Sequence, residues 1–320
     1  MIRSLLIYLS KAEWARRFVT GWGYARNTAL RFVAGETLEE ALKAVSVINS
    51  RGMTATLDFL GEDTTSLQEA YESAATIRNS IEKIDDLGLR ANVSIKLSQL
   101  GLAINEKACA ANLAAVLRLA AELDTFVRID MEDSSTVEAT FRIQKEMLDD
   151  HGYRNVGLVI QSYLYRSEDD TRELIKRNIR IRLVKGAYQE PPNIAYPKKS
   201  DVDREFDNLT SILLDASKTR GKLRSGAEGR VPPMAAIATH DERRVAFAKQ
   251  YAIDIGLQKN ALEFQMLYGI RRNLQTALVG EGYPVRIYVP FGARWFPYFM
   301  RRLAERPANL WFFLTSLFRK

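Results

Sequence analysis

Three short β-rich runs carry charges where a chain this large ordinarily puts apolar side chains. They are Asn92-Val93-Ser94-Ile95-Lys96-Leu97, Phe126-Val127-Arg128-Ile129-Asp130-Met131 and Ile179-Arg180-Ile181-Arg182-Leu183-Val184. Alternate side chains of an extended strand face opposite ways. Ile95 and Leu97 therefore oppose Ser94, Lys96 and Ser98; Val127, Ile129 and Met131 oppose Arg128, Asp130 and Glu132; Ile181 and Leu183 oppose Arg180 and Arg182. If the apolar set faces a core, the charged set converges elsewhere. Burying an unpaired charge is costly, so these groups must pair with one another or meet a charged ligand. Pairing of Asp130 with Arg182 or Lys96 alone would make them an ion-pair network, whereas a ligand would make them a site. The strand pattern leaves both readings open.

A second constellation lies near the C-terminal end. Tyr298, Arg301, Arg302 and Glu305 fall at i, i+3, i+4 and i+7, on one face of a helix. Two adjacent guanidinium groups suit a carboxylate or phosphate, since each can hold it bidentately. A solvated basic face has the same composition, but this one directly follows the last β-rich run. Only two histidines, His151 and His240, and one cysteine, Cys109, are present. That excludes a multi-histidine or cysteine-based metal site and an internal disulfide framework, and the expected compartment is reducing and cytoplasmic.

These residues need a scaffold, and the chain supplies one by alternating helical patterns with short apolar runs from about residue 36 onward. Besides the three above, the runs are 55–60, 156–161, 234–239, 262–266 and 285–289. Eight strands separated by helix-length segments predict a closed (β/α)8 TIM-like barrel, because closure removes both sheet edges. A doubly wound open sheet is the alternative. Residues 1–50 are expected to be helical and packed on the barrel, and 51–320 to form the barrel with its C-terminal helix. Segments 190–203 and 219–231 read as surface loops. At 320 residues and 47% hydrophobic content the chain can bury such a core as one domain. The formal net charge is +7, but the basic residues are dispersed through helices, so nucleic acid is not an expected partner. The apolar run Leu5–Leu9 is too short for a membrane span or signal core. The minor alternative for that terminus is a mitochondrial presequence.

Several motifs in this order resemble those of bacterial monofunctional proline dehydrogenases. They are Ser94-Ile95-Lys96-Leu97-Ser98, Arg128-Ile129-Asp130-Met131-Glu132, Gln161-Ser162-Tyr163 and Arg182-Leu183-Val184-Lys185-Gly186-Ala187-Tyr188. Ala238-Thr239-His240-Asp241, Phe264-Gln265-Met266-Leu267-Tyr268-Gly269 and the terminal Tyr298, Arg301, Arg302, Glu305, Arg306 pattern complete the set. The resemblance implies oxidation of L-proline to Δ1-pyrroline-5-carboxylate, with hydride passed to FAD and on to a membrane quinone. It implies that Asp130 and Arg182 form a catalytic pair beside the flavin. Lys96, Arg301 and Arg302 would hold the substrate carboxylate and Tyr298 would pack on the proline ring, with Tyr188, Leu267 and Tyr288 as further pocket walls. Met131, Gln161, Lys185, Gly186, Ala187, Thr239 and His240 would contact FAD, and no metal is implied. The larger bifunctional members of that family add an aldehyde dehydrogenase, for which this chain has no room. Two other readings stay in view: another FAD barrel of the methylenetetrahydrofolate-reductase type, and a non-catalytic barrel binding an anionic metabolite. The closing segment Asn309–Lys320, aromatic and ended by two cations, is a candidate peripheral contact with the inner face of the cell membrane.

Overall fold

The computed structural model describes residues 31–61, 64–220 and 228–305. Its first helix, α1 (Leu38–Ser50), starts where Thr37 and Glu40 exchange side-chain and backbone hydrogen bonds in a capping box. The apolar stripe Leu38, Ala41, Leu42, Val45 and Ile48 is buried. Then follow β1 (Thr54–Phe59), α2 (Leu67–Asp86), β2 (Ala91–Ile95), α3 (Glu106–Glu122), β3 (Val127–Ile129), α4 (Val137–Asp149), β4 (Val156–Gln161) and α5 (Ser167–Lys176). The rest is β5 (Ile181–Val184), α6 (Lys199–Thr219), β6 (Ala235–Ala238), α7 (Glu242–Asp254), β7 (Leu262–Leu267), α8 (Arg272–Gly280), β8 (Val285–Phe291) and α9 (Trp295–Glu305).

All eight strands are parallel and pair in sequence order into a closed barrel. The seam is the pairing of β1 with β8, from Thr54 opposite Arg286 to Phe59 opposite Phe291, which excludes the open-sheet alternative. As the alternation predicts, Val93, Ile95, Val127, Ile129, Ile181 and Leu183 lie in the apolar core between strands and helices. Most of the remaining alternate positions point into the lumen. The third strand is shorter than expected, but Asp130 N–H still donates to the Ile95 carbonyl at 2.8 Å, so the ladder reaches the charged residue.

One expected loop is corrected. Of segment 190–203, residues from Lys199 onward already belong to α6, where Asp201 and Asp203 sit in the first turns and complement the helix dipole. Segment 219–231 is described only in part, and residues 1–30 and 306–320, including the C-terminal tail, lie outside the described residues. Among the described residues no helix is long and apolar enough to cross a membrane. No cluster of three or more potential metal-ligating His, Cys, Asp or Glu side chains occurs there either.

In a regular barrel the groove between the last and first strands is filled by a helix that follows the last strand. Here α1 packs on both β1 and β8, so the helix that precedes the barrel occupies that groove. The helix after β8 is thereby released to start at the barrel's carboxyl-terminal mouth. Its entry is fixed by Gly292 N–H to Gly35 O at 3.0 Å and by Trp295 Nε1 to Glu36 Oε1 at 3.1 Å. Gly292 has φ +126°, and a Cβ there would meet the Leu60 carbonyl oxygen at 3.1 Å, so the turn into α9 favours glycine. On α3, Cys109 is wholly enclosed and burial pushes its thiol up to about 12, which leaves no thiolate for redox chemistry.

Candidate active site

The lumen holds one continuous hydrogen-bonded network running from the mouth toward the floor. At its hub is Asp130, one residue beyond β3. Its Oδ1 accepts from Arg182 Nη1 at 2.6 Å and from Ser94 Oγ at 2.8 Å, and its Oδ2 accepts from the Tyr288 hydroxyl at 2.8 Å. Lys96 Nζ is 3.8 Å from the same carboxylate. The strand register explains the convergence: Ser94 stands beside Asp58, and Tyr288 beside Thr56, in paired strands. Lys96 is held more closely by a residue that the strand alternation had not singled out. Its Nζ donates to both oxygens of Asp58, at 3.0 and 3.2 Å, and Asp58 is completely buried on β1.

Below the hub, Arg182 Nε donates to Gln265 Oε1 at 2.5 Å, and Gln265 Nε2 donates to Glu263 Oε1 at 2.6 Å. Glu263 receives both Arg286 Nε at 2.9 Å and Nη2 at 3.1 Å. The remaining Arg286 donors reach the carbonyls of Ala55 and Gly229, each at 2.7 Å. Glu263 and Arg286 are 1% exposed, so this pair is a sealed ionic floor under the more open Asp130 group. Burial, followed by the negative charges of Asp130 and Asp58, pushes the Tyr288 hydroxyl well above its ordinary value, and it stays a protonated donor.

Two arginines expected with this group lie elsewhere. Arg128 is buried but at a lower level, where its Nη1 donates to the carbonyls of Leu158 and Arg180, and its guanidinium lies 4.9 Å from the Phe126 ring centroid. Burial drives its pKa well below the usual value. Arg180, just before β5, donates to the Pro232 carbonyl at 2.7 Å and turns away from the mouth. The alternation placed them on the right strands but could not tell their height. Gly157 makes room for this stack: a Cβ would meet the Arg180 carbonyl oxygen at 2.4 Å and Arg128 Nη1 at 2.7 Å.

A second group of residues runs along the ends of β4, β5 and β6. Gln161 is buried, its Nε2 donating to the carbonyls of Met131 and Glu132 at 3.2 and 3.3 Å. Its Oε1 has no hydrogen-bond partner among the described residues. Lys185 is no solvated surface lysine: Nζ is gripped by Asp203 of α6 at 2.5 Å and by Asp241, the N-cap of α7, at 2.7 Å. Gly186 has φ +114°, and a Cβ there would lie 2.4 Å from the Tyr163 ring, so no other residue fits without displacing that ring. Ala187 is exposed and Tyr188 half-buried in the loop that follows. Thr239 Oγ1 accepts from Asp241 N–H at 3.1 Å. His240 Nε2 accepts the Leu267 N–H at 2.9 Å, so a neutral ring carries its proton on Nδ1.

Over the mouth, α9 buries Phe296, Tyr298 and Phe299 and leaves Arg301 and Arg302 half-buried. The Arg302 guanidinium stacks 5.2 Å from the Tyr298 ring centroid. The structure thus joins Lys96, Asp130, Arg182 and Tyr288 directly, and couples Tyr298 with Arg302 on their own helix. Asp58, Glu263, Gln265 and Arg286 complete the lumen network. Their signal was polar or charged residues inside the runs 55–60, 262–266 and 285–289, the same alternation that exposed Asp130.

Comparison with known proteins gives this geometry a context. The proline dehydrogenase family model matches residues 41–313. Proline dehydrogenase 1 of Bacillus subtilis is 39% identical over 321 residues, covering 100% of each chain. The proline dehydrogenase of Deinococcus radiodurans is 39% identical over 296 residues, covering 92% of this chain and 91% of that one. Among solved structures, proline utilization A from Bdellovibrio bacteriovorus, inactivated by N-propargylglycine, superposes with a TM-score of 0.78 at 27% identity. The match covers 88% of this chain, which spans only 33% of that longer protein.

Proposed function

The chain belongs to the proline dehydrogenase family, and from that premise we propose that it oxidises L-proline to Δ1-pyrroline-5-carboxylate, using bound FAD as the first electron acceptor and a membrane quinone as the second. The observation that carries the reading is the convergence of Asp130, Arg182, Lys96 and Tyr288 at the mouth of the barrel, where active sites of this architecture are built.

The residues present fit a flavin. The Gln161 amide offers a buried carbonyl oxygen that needs a donor, which flavin ring nitrogens supply. Arg182 on β5 and Lys185 just past its end provide cations, and Gly186 keeps the backbone open beside them. Met131, Ala187, Thr239 and His240 complete the proposed contact set. When bound, the flavin supplies the hydride acceptor.

The chain's own residues have the tasks of orientation and charge balance. Arg301 and Arg302 present two guanidinium groups to the proline carboxylate, with Lys96 as the third cation, and Tyr298, Tyr188, Leu267 and Tyr288 wall the ring. Asp130 keeps Arg182 in one orientation while neutralising it, and Tyr288, held protonated, donates to Asp130 without competing as a base. The substrate amine must be neutral for its neighbouring carbon to give up hydride. Fixing the carboxylate on one side therefore positions that carbon without spending a protein charge on the nitrogen.

The reading is tested by anaerobic titration of the purified protein with L-proline. The expected result is a flavin spectrum, identified as FAD after extraction, that bleaches saturably with proline. Absence of flavin absorbance after incubation with FAD would sink the redox reading and favour an anion-binding barrel. The clamp is tested separately: Arg301→Met and Arg302→Met should each raise KM for proline by roughly 10- to 100-fold with near-normal flavin content, from a charge-assisted bond of about 1.5–3 kcal/mol. Wild-type saturation in both variants would reduce this face to a solvated one. Membrane contact is assigned to the C-terminal segment, and deletion from Leu310 onward should abolish sedimentation with anionic liposomes and quinone-linked turnover while sparing dye reduction. Unchanged liposome binding would remove the tail from that role.

A further inference from the structure

Outside the barrel, between α1 and α8, lies a cleft of about 370 Å3 that the reaction does not use. Its floor is apolar, built by Val47 and Ile48 of α1 and by Ile287, which points outward from β8. Val47 is 51% exposed. Three cations line the cleft: Lys43 from α1, Arg51 at its C-cap, and Arg272 at the first turn of α8. Among the described residues no carboxylate lines it, and none of the three cations has an ion-pair partner. Arg271, the residue before Arg272, is by contrast bound to Glu242.

The spacing sets the shape of what fits. Lys43 on α1 and Arg51, its C-cap, are eight positions and about 12 Å apart along the helix axis, with Val47 and Ile48 between them. Both α1 and α8 run from the mouth toward the floor, so Arg51 lies at the lower end of the cleft, Lys43 midway along α1, and Arg272 opens α8 at the upper end. There the free N–H groups and the dipole of the nine-residue α8 add to the positive field. The volume is within the lower range of small-molecule sites, and an apolar trough with a cationic head is complementary to one chemical class.

We propose that this cleft is a binding site for a soluble anionic amphiphile, a phosphate or carboxylate group on an apolar chain, with the head between Lys43 and Arg272 and the chain along Val47, Ile48 and Ile287. The proposal does not depend on the assignment of the barrel lumen. Its concave form between two helices favours a single molecule over a bilayer surface. A ligand there lies on the outer side of β8, whose next residue, Tyr288, faces Asp130 from the inner side, so occupancy is separated from the lumen network by one strand's thickness.

Calorimetric titration of the intact flavin-loaded protein with octyl phosphate tests this. One saturable site is expected, with inorganic phosphate and octanol each binding at least roughly tenfold more weakly, because each supplies half of the recognition. The double variant Lys43→Gln, Arg272→Gln, whose substitutions are exposed and leave the core intact, should weaken octyl phosphate by roughly tenfold or more at unchanged melting temperature. Val47→Trp should block the trough and give the same loss. No saturable binding, or equal affinity in both variants, overturns the proposal. So does binding confined to phosphatidic acid vesicles that octyl phosphate fails to displace, since that would make the surface a bilayer contact.

Discussion

Replacing Arg286 by leucine should cost about 3–5 kcal/mol of unfolding free energy, the effect of stranding one member of a buried ion pair. The guanidinium is 1% exposed and spends its donors on both Glu263 oxygens and on the carbonyls of Ala55 and Gly229. Leucine leaves the Glu263 carboxylate in a closed cavity with only the Gln265 amide as donor, and takes one donor away from each of two carbonyls. For a domain of this size the melting temperature should fall by on the order of 10 °C. The companion variant Glu263→Leu, Arg286→Leu should recover much of that loss, because a buried pair replaced by apolar groups removes the stranded charge along with the attraction. Thermal or urea unfolding of the three proteins measures both terms. Equal stability of Arg286→Leu and wild type would mean that water reaches the floor of the barrel.

Asp130→Asn should lower kcat by about 10²–10³-fold while leaving the fold within about 2 kcal/mol of wild type, a loss in the range found when one preorganised electrostatic contact is removed from a reacting centre. The amide keeps the shape of the carboxylate and can still accept from Tyr288 or Ser94. It no longer neutralises Arg182, whose charge would then act unbalanced. Lys96 would retain its bonds to Asp58, so substrate saturation should change less than turnover. Steady-state kinetics with proline and an artificial dye, alongside a melting curve, separates the two outcomes. A variant that turns over normally would assign Asp130 to the structural network only, and one that fails to fold would give it the same role for the opposite reason.

The difference between these two residues marks how far the sequence could be read. Strict alternation on short strands was enough to call eight parallel strands, to find Asp130 and Arg182 on an inward face, and to expect them paired, because period-two patterning is a local property. What alternation lacks is height. Arg128, two residues before Asp130, shares its face and yet packs one layer down against Phe126 and two carbonyls. Asp58 was hidden in a run that otherwise reads as an ordinary buried strand, and its meaning appears only when the barrel closes and sets it beside Ser94 and Lys96. Lys185 shows the same limit: its two carboxylate partners come from α6 and α7, so nothing within its own motif announces them. The start of α6 at Lys199 was missed because the Pro-rich stretch before it resembles a loop and no Ser, Thr, Asp or Asn cap marks the boundary.

The position of α1 has a consequence for how the protein is made. It is synthesised first among the described helices, yet half of its docking surface, β8, ends at Phe291, about 240 residues later, or on the order of 10–50 s of translation at ordinary rates. During that interval β1 can cover only part of the stripe Leu38, Leu42, Val45 and Ile48. A nascent chain therefore carries a partly uncovered hydrophobic helix until β8 has emerged. Chaperones that hold exposed apolar segments would meet it there, and the barrel is sealed only when the ribosome has released the strand that lies against it.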